Sequence, residues 1–233
     1  MTTVLPWLTL VACLAMTAIR IPSAIRGQNR TMFFLFALLS LDILLSIEEP
    51  YLFIDSFLGG FNLANLLLRF LLYGTFLLLG VKTAAAFGSA GGARAIRGPA
   101  GLAVLLLVAG LTAWIFFSMD TRGSTVGLSE LHQNASLESY SALGRFYPGY
   151  VAACLLPGIW RAVRGSGPVL LRIAAGTLFL GFCLLLLTQG FPLIPEAAGW
   201  LRPAINYSAA LASILGMGGI WLSKSLARRV GRG

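Results

Sequence analysis

Charged residues are scarce in this chain of 233 residues: they make up 11% of it, whereas soluble domains carry about 25%. Hydrophobic residues make up 58%, above the about 45–50% of soluble domains. Seven membrane spans of about 20 residues would occupy about 140 residues, close to that hydrophobic share. The composition therefore excludes a soluble enzyme, a disordered chain and a disulfide scaffold. It leaves no room for a second, soluble domain, so we expect a single domain over residues 1–233.

Histidine and cysteine are rare as well. The chain has one histidine, His132, and three cysteines, Cys13, Cys154 and Cys183, each standing singly in an apolar run. A bis-histidine haem needs two histidines, and a zinc site needs three or four His, Cys or acidic ligands. The sequence also lacks the P-loop, GxSxG, HExxH and kinase motifs. We therefore expect no enzymatic activity, cofactor or metal, and cysteines that serve as small buried hydrophobic residues.

Seven apolar runs follow one another along the chain. Each must form a helix, because backbone polar groups find no water inside a bilayer. The predicted spans are Val4–Ile19, Met32–Glu49, Phe61–Val81, Leu102–Met119, Tyr147–Trp160, Val169–Gly190 and Pro203–Ser223. Between spans three and four, the glycine-rich segment 88–98 is expected to be a flexible linker. The predicted fold class is an all-α membrane protein, a bundle of seven transmembrane helices.

Basic residues lie almost entirely on one side of these spans. Of the 17 Lys and Arg, 13 lie on that side, and seven of the eight acids lie at or beyond the opposite one. By the positive-inside rule, the N-terminus is outside and the C-terminus is cytoplasmic. The net charge of +9 then reflects topology and attraction to anionic lipid, so nucleic acid is not an expected partner. The excess of Arg over Lys is typical of a GC-rich genome and indicates a bacterial cytoplasmic membrane.

Span four differs from the others because it contains no ionisable residue and no Asn or Gln. If it is a linker, spans one to three and five to seven form two triplets of the same orientation. Val11-Ala-Cys-Leu before Arg20 resembles Val151-Ala-Ala-Cys-Leu before Arg161. Such 3+1+3 parallel repeats occur in small transporters, including the SWEET sugar carriers. Chance similarity between two Leu- and Ala-rich helices is the alternative.

Polar residues inside the spans form the candidate site. Asp42 and Arg69 are predicted at similar depth near the membrane centre, where a lone charge costs about 2.5–3.5 kcal/mol, so we expect them to contact each other. Helical spacing predicts a polar stripe on span two and another on span three, with further polar residues at the start of span seven. The candidate cluster is Asp42, Ser46, Glu49, Asn62, Asn65, Arg69, Tyr73, Arg202 and Asn206. We expect an outward-opening polar pocket lined by spans two, three and seven.

Other roles for these residues stay open. Intramembrane Asn residues and ion pairs also hold helices together, at about 0.6–2 kcal/mol each, and the same side chains can face another subunit. The favoured function is transport of a small ligand. The alternatives are an accessory subunit of a larger membrane complex and a sensor of an outside ligand that signals through a partner. The expected partners are the lipid bilayer, a small-molecule ligand, and another membrane protein or a second copy.

Two segments carry a family resemblance. The stretch from Pro50 to Leu67, PYLFIDSFLGGFNLANLL, and the stretch GPVLLRIAAG from Gly167 resemble an actinobacterial family of seven-span membrane proteins. Asp55, Asn62 and Arg172 are the residues here that match its pattern. The resemblance covers the membrane part only and does not extend to the soluble C-terminal region that members of the family carry. It implies seven spans and transport of an unknown substrate, with no established activity.

Overall fold

The computed structural model describes residues 4–128 and 135–230, so His132 lies outside the described residues. Every regular element in these two ranges is helical. The helices are α1 Val4–Ile25, α2 Arg30–Leu44, α3 Glu48–Phe57, α4 Leu63–Ala86, α5 Ala90–Arg97, α6 Pro99–Ser118, α7 Ala135–Arg164, α8 Val169–Leu187 and α9 Leu201–Val230. Short 3₁₀ turns cover Val126–Leu128, Thr188–Leu193 and Glu196–Ala198.

Five of the described helices are long and apolar enough to cross a membrane, namely α1, α4, α6, α8 and α9. The bent pair α2 and α3 makes a sixth if the two count as one span. The 30-residue α7 is not among them. Its apolar run, Tyr147–Trp160, is shorter than the about 20 residues that a bilayer requires. The chain is all-helical with five or six candidate spans in its described part, and the seventh span stays a prediction.

The second predicted span breaks before its end. The axes of α2 and α3 are bent from each other by 94°. Ser46, between them, donates its hydroxyl to the Ile43 carbonyl at 2.6 Å, a local bond of the kind that competes with helix continuation. Glu49 therefore lies exposed on a different helix from Asp42. The prediction that Glu49 continues the polar stripe of span two is wrong.

Six helices form a closed ring, in the order α1, α2, α4, α7, α8, α9, with α9 packed against α1. The apolar core between them includes Phe36, Tyr147 and Leu178, all nearly inaccessible. Helix α6 lies outside the ring against α4, α5 and α7. It exposes large apolar side chains, among them Leu106 and Trp114, as expected of a helix in contact with lipid.

Small residues bring α8 and α9 together along the most extensive helix contact in the described chain. A Cβ added at Gly216 would lie 2.7 Å from the Cβ of Leu178 and 2.8 Å from its backbone nitrogen. One added at Gly181 would lie 2.9 Å from the Ser213 hydroxyl. Inside a bilayer, close backbone approach of this kind drives helix association, because lipid tails are as apolar as the helices themselves.

Segment 88–98 is not the flexible linker that its glycine content predicts. It contains α5, whose N-cap Ser89 accepts a hydrogen bond from the Gly92 amide at 3.3 Å. Ile96 on this helix is fully buried, and the Tyr150 hydroxyl donates to the Ala95 carbonyl at 2.6 Å. A cap, one buried apolar side chain and a tertiary hydrogen bond together outweigh the low helix propensity of glycine.

Candidate functional site

A cavity of about 690 Å³ lies within the ring of helices, in the range of about 300–1,000 Å³ that is typical of small-molecule sites. Its walls come from α2, α4, α7, α8 and α9, from residues 126–127, and from the connections that follow α2 and α8. Along α9 it extends from Arg202 to Met217, about 22 Å at 1.5 Å per residue. Arg202 and Asn206 are exposed, so the cavity reaches the surface here. We call this end, which includes residues 119–128, the loop end.

Five of the nine residues in the candidate cluster line this cavity: Asp42, Ser46, Arg69, Arg202 and Asn206. They come from α2, the break that follows it, α4 and α9, which correspond to predicted spans two, three and seven. Helices α7 and α8 complete the walls. The other four residues of the cluster lie elsewhere: Glu49, Asn62, Asn65 and Tyr73.

Asp42 is the acidic residue of the cavity wall. It is 4% exposed, and its Oδ2 accepts a hydrogen bond from the Thr75 hydroxyl at 2.7 Å. Its Oδ1 is buried and finds no hydrogen-bond partner among the described residues. An unpaired buried acceptor costs about 1–3 kcal/mol, and more when the group is charged. Half of this carboxylate is therefore available to a donor that enters the cavity.

The predicted contact between Asp42 and Arg69 is not formed. Asp42 bonds instead to Thr75, which lies six residues beyond Arg69 on α4, about 9 Å along the helix axis. The Arg69 guanidinium lies 5.2 Å from the ring centroid of Tyr140 and against the backbone of Gly144, where an added Cβ would overlap it. Depth counted from the ends of two apolar runs was misleading, because run lengths locate a residue only to within about one helical turn, about 5.4 Å.

Three arginines gather near the loop end of the cavity: Arg69, Arg145 and Arg202. Arg69 and Arg202 are both near enough to Arg145 to repel its charge. Arg145 lies over the ring of Phe191, 5.9 Å from its centroid. Arg202 donates through Nη2 to the Ile194 carbonyl at 3.1 Å. Aromatic faces and a backbone carbonyl, rather than carboxylates, surround this positive charge.

No carboxylate in the described ranges forms an ion pair with any of these three arginines; the pair found there joins Arg122 to Asp120 at 3.8 Å, on the surface. The Nε atoms of Arg69 and Arg145 are buried and have no hydrogen-bond partner within the same ranges. The loop end of the cavity thus holds a concentration of uncompensated positive charge.

Sequence reasoning missed three polar residues of the cavity: Thr75, Arg145 and Tyr207. The Tyr207 hydroxyl lies 3.0 Å from the hydroxyl of Ser46 and connects α9 to the end of α2. A signal for Arg145 was present in the charge pattern. Four of the 17 basic residues do not lie on the predicted inner side, and three of those four line the cavity. These four are Arg69, Arg122, Arg145 and Arg202.

Asn62 has a structural role. It precedes α4 in the left-handed region, with φ 57°. Its Oδ1 accepts hydrogen bonds from the Tyr51 hydroxyl at 2.7 Å and the Thr125 amide at 2.9 Å. Its Nδ2 donates to the carbonyls of Thr121, at 2.9 Å, and Gly123. This one side chain joins α3, the start of α4 and the segment after α6.

Asp55 completes the same network. Its two oxygens accept from the amides of Asn62, at 3.0 Å, and Ala64, at 2.9 Å, and from the hydroxyl of Ser124. A carboxylate at the start of a helix satisfies free amides and favours the positive end of the helix dipole. Asp55 and Asn62 in the segment that carries the family resemblance therefore hold a turn. Arg172, the third matching residue, is exposed and donates to the Val163 carbonyl at 3.1 Å.

Asn65 and Tyr73 also hold helices together. The Asn65 Oδ1 accepts from the Tyr140 hydroxyl at 2.8 Å, which joins α4 to α7. The Tyr73 hydroxyl lies 2.8 Å from that of Thr112, which joins α4 to α6. The polar stripe predicted on span three thus faces α6 and α7, and only Arg69 within it reaches the cavity.

Among the residues that the structure describes, no three His, Cys, Asp or Glu side chains come together in a group that holds a metal ion. Comparisons with protein-family models, curated proteins and solved structures find no match to this chain. The geometry of the cavity is therefore the basis on which a function is proposed.

Proposed function

We propose that this chain is a seven-span protein of the bacterial cytoplasmic membrane that transports a small ligand through the cavity. The observation that carries the proposal is the cavity itself, about 690 Å³ within a ring of helices, with the half-paired carboxylate of Asp42 in its wall. An ionisable residue buried within a proposed membrane span marks a substrate or ion pathway by default.

The order of helices in the ring supports transport as well. Two consecutive triplets, α1-α2-α4 and α7-α8-α9, close the ring, while α6 lies outside it. A parallel 3+1+3 repeat with α6 as its linker requires this arrangement. In the proposed topology α7 is the fifth span, and the positive-inside rule orients the loop end toward the outside. The family resemblance favours the same function.

An efflux assay tests the proposal. Liposomes containing the protein are loaded with a mixture of glutamate, lysine, glucose, citrate and 1-octanesulfonate, and the retained solutes are measured by mass spectrometry over time. We expect at least one solute to leave faster with the wild type than with Asp42→Asn. The matched control is Asp120→Asn, which neutralises an exposed aspartate outside the cavity and should behave as the wild type.

The unfolding temperature of Asp42→Asn distinguishes a role of Asp42 in transport from a role in helix packing. Asp42→Asn removes a buried, half-paired carboxylate, so its unfolding temperature should equal or exceed that of the wild type. If Asp42 only holds helices together, the same change lowers the unfolding temperature. Equal retention of every solute by the wild type and Asp42→Asn would contradict the transport proposal.

A further inference from the structure

We propose that the cavity binds an elongated amphipathic anion, with its charged head among Arg69, Arg145 and Arg202 and its apolar chain directed toward Met217. The inference deepens the proposed function by naming the class of ligand, and it rests on the same cavity. It commits to the chemistry of the ligand: a carboxylate, sulfonate or phosphate group on an aliphatic chain.

The charge of the cavity wall favours an anion. Its acidic and basic residues are three arginines and Asp42, so positive charges outnumber negative ones whether or not Asp42 is protonated. Glu138 is near enough to Arg145 to interact with its charge but is exposed and forms no ion pair with it among the described residues. A planar guanidinium binds carboxylate and phosphate groups through paired hydrogen bonds.

The free edges of the arginines support the same conclusion. Arg69 and Arg145 each face an aromatic ring, of Tyr140 and Phe191 respectively, and each has a buried Nε without a partner among the described residues. Stacking on a ring occupies the face of a guanidinium and leaves its N–H edge for another group. An anionic head between them would supply the missing acceptors.

The wall away from the arginines favours an aliphatic chain. Beyond Asp42 and Thr75, the only other polar side chain on this part of α2, α4 and α9 in the described wall is Ser213. Its hydroxyl already donates to the Ala209 carbonyl at 2.8 Å. The apolar side chains there include Leu35, Phe36, Leu39, Leu79, Ile214 and Met217. The positive charge at one end of the cavity suits an anionic head group, and the apolar wall along the rest suits an aliphatic chain. A small hydrophilic anion would leave this wall exposed to water, which is unfavourable.

Calorimetric titration of the protein in phosphatidylcholine nanodiscs tests the inference, with empty nanodiscs subtracted. The probes are 1-octanesulfonate and octyltrimethylammonium, which have the same chain and opposite permanent charges. We expect saturable binding of the sulfonate to the protein, and ammonium binding weaker by at least about tenfold. Equal affinities for the two probes would overturn the inference, and this comparison needs no variant.

Variants locate the binding site. Arg145→Gln/Arg202→Gln should weaken sulfonate binding by at least about tenfold, because two charge-assisted contacts are lost. Arg145→Lys/Arg202→Lys keeps the positive charge and should lose less sulfonate affinity than the glutamine variant. Arg122→Gln is the matched control, because Arg122 is exposed and lies outside the cavity, and should bind as the wild type. Sulfonate affinity that is unchanged in a folded Arg145→Gln/Arg202→Gln protein would overturn the inference.

Two further experiments are needed. One distinguishes a lipid head group from a ligand in solution, and the other distinguishes failure of the transport proposal from failure of the ligand class. If a phospholipid head group occupies the site, nanodiscs containing phosphatidylglycerol should weaken sulfonate binding by competition; if the ligand comes from solution, they should not. Either result retains the amphipathic anion. Saturable sulfonate binding without efflux of any solute would contradict transport and retain the ligand class. Efflux of a neutral or cationic solute that the sulfonate does not inhibit would support transport and contradict the proposed ligand class.

Discussion

Polar side chains within this bundle fall into two groups by their hydrogen bonding. Asn62 uses both ends of its amide in hydrogen bonds to the turn, and Asn65 and Tyr73 each make a bond to a neighbouring helix. Asp42 and Arg145 each have a buried atom without a partner in the described chain. A paired group contributes to stability, whereas an unpaired buried group costs free energy that a bound ligand can recover. Three other residues also have unpaired buried atoms in the described chain but do not line the cavity: Arg20, Thr125 and Tyr147. The candidate site is therefore marked by residues that are both unpaired and on the cavity wall.

Replacement of Asn62 tests the structural role of the first group. Asn62→Ala should lower the free energy of unfolding by at least about 2 kcal/mol, because it leaves buried donors and acceptors unpaired and places alanine at positive φ. Asn62→Gly tolerates that φ and should recover about 1 kcal/mol of the loss. Thermal unfolding in detergent measures both. Asn206→Ala, at an exposed position, is the control, and a similar loss there would contradict the assignment.

Comparison of the individual helices with the hydropathy pattern shows which of them that pattern predicts and which it does not. Five predicted spans correspond to α1, α4, α6, α8 and α9, because long apolar runs have no alternative to a helix in a bilayer. The break after α2 and the capped helix α5 do not follow from hydropathy. At the break, the Ser46 hydroxyl bonds to the Ile43 carbonyl, a contact that competes with helix continuation. Burial of Ile96 stabilises α5.

The contact between α8 and α9 gives a prediction about packing. Gly216→Ala should destabilise the protein by about 1–3 kcal/mol, because the new methyl group meets the backbone of Leu178 and forces the helices apart. Gly176→Ala on α8 is the matched control: an added Cβ has no atom within 4 Å there. This control should be neutral or slightly stabilising, since alanine is the better helix former. Thermal unfolding of the two variants decides, and equal effects would contradict the packing argument.

In the described part of the chain, six helices form a closed ring, α6 lies outside it, and the short helices α3 and α5 pack against members of the ring. This arrangement creates the cavity, because residues from five helices that are distant in sequence face one space. It also makes α7 central: α7 supplies Arg145 and lies between α4 and α8 in the ring. Whether α7 crosses the membrane thus decides whether the cavity is a transmembrane site.

Cysteine labelling tests this topology. In a background with alanine at Cys13, Cys154 and Cys183, single cysteines replace Arg94, Arg122 or Arg164, all exposed. A membrane-impermeant maleimide applied to intact cells should label only Arg122→Cys, because the proposed topology places residues 94 and 164 in the cytoplasm. Labelling of both Arg122→Cys and Arg164→Cys would show that α7 does not cross. Permeabilised cells are the control for reactivity at all three positions.

Composition and apolar runs determined that this is an all-helical chain with several candidate membrane spans, since the cost of unsatisfied backbone groups in lipid is the same wherever a run occurs. Charge counts predicted an orientation, and the basic residues that depart from it include the three cavity arginines, although only the structure showed that they share one cavity. The partners of each polar side chain depend on helix breaks and on which faces meet. Only the tertiary structure therefore separated Asp42, half-paired in the cavity wall, from Asn62, saturated in a turn, and placed Thr75 rather than Arg69 beside Asp42. The physical reason is that a hydrogen bond requires an approach within about 3 Å, whereas helix spacing and run lengths locate residues only to within a turn, about 5.4 Å.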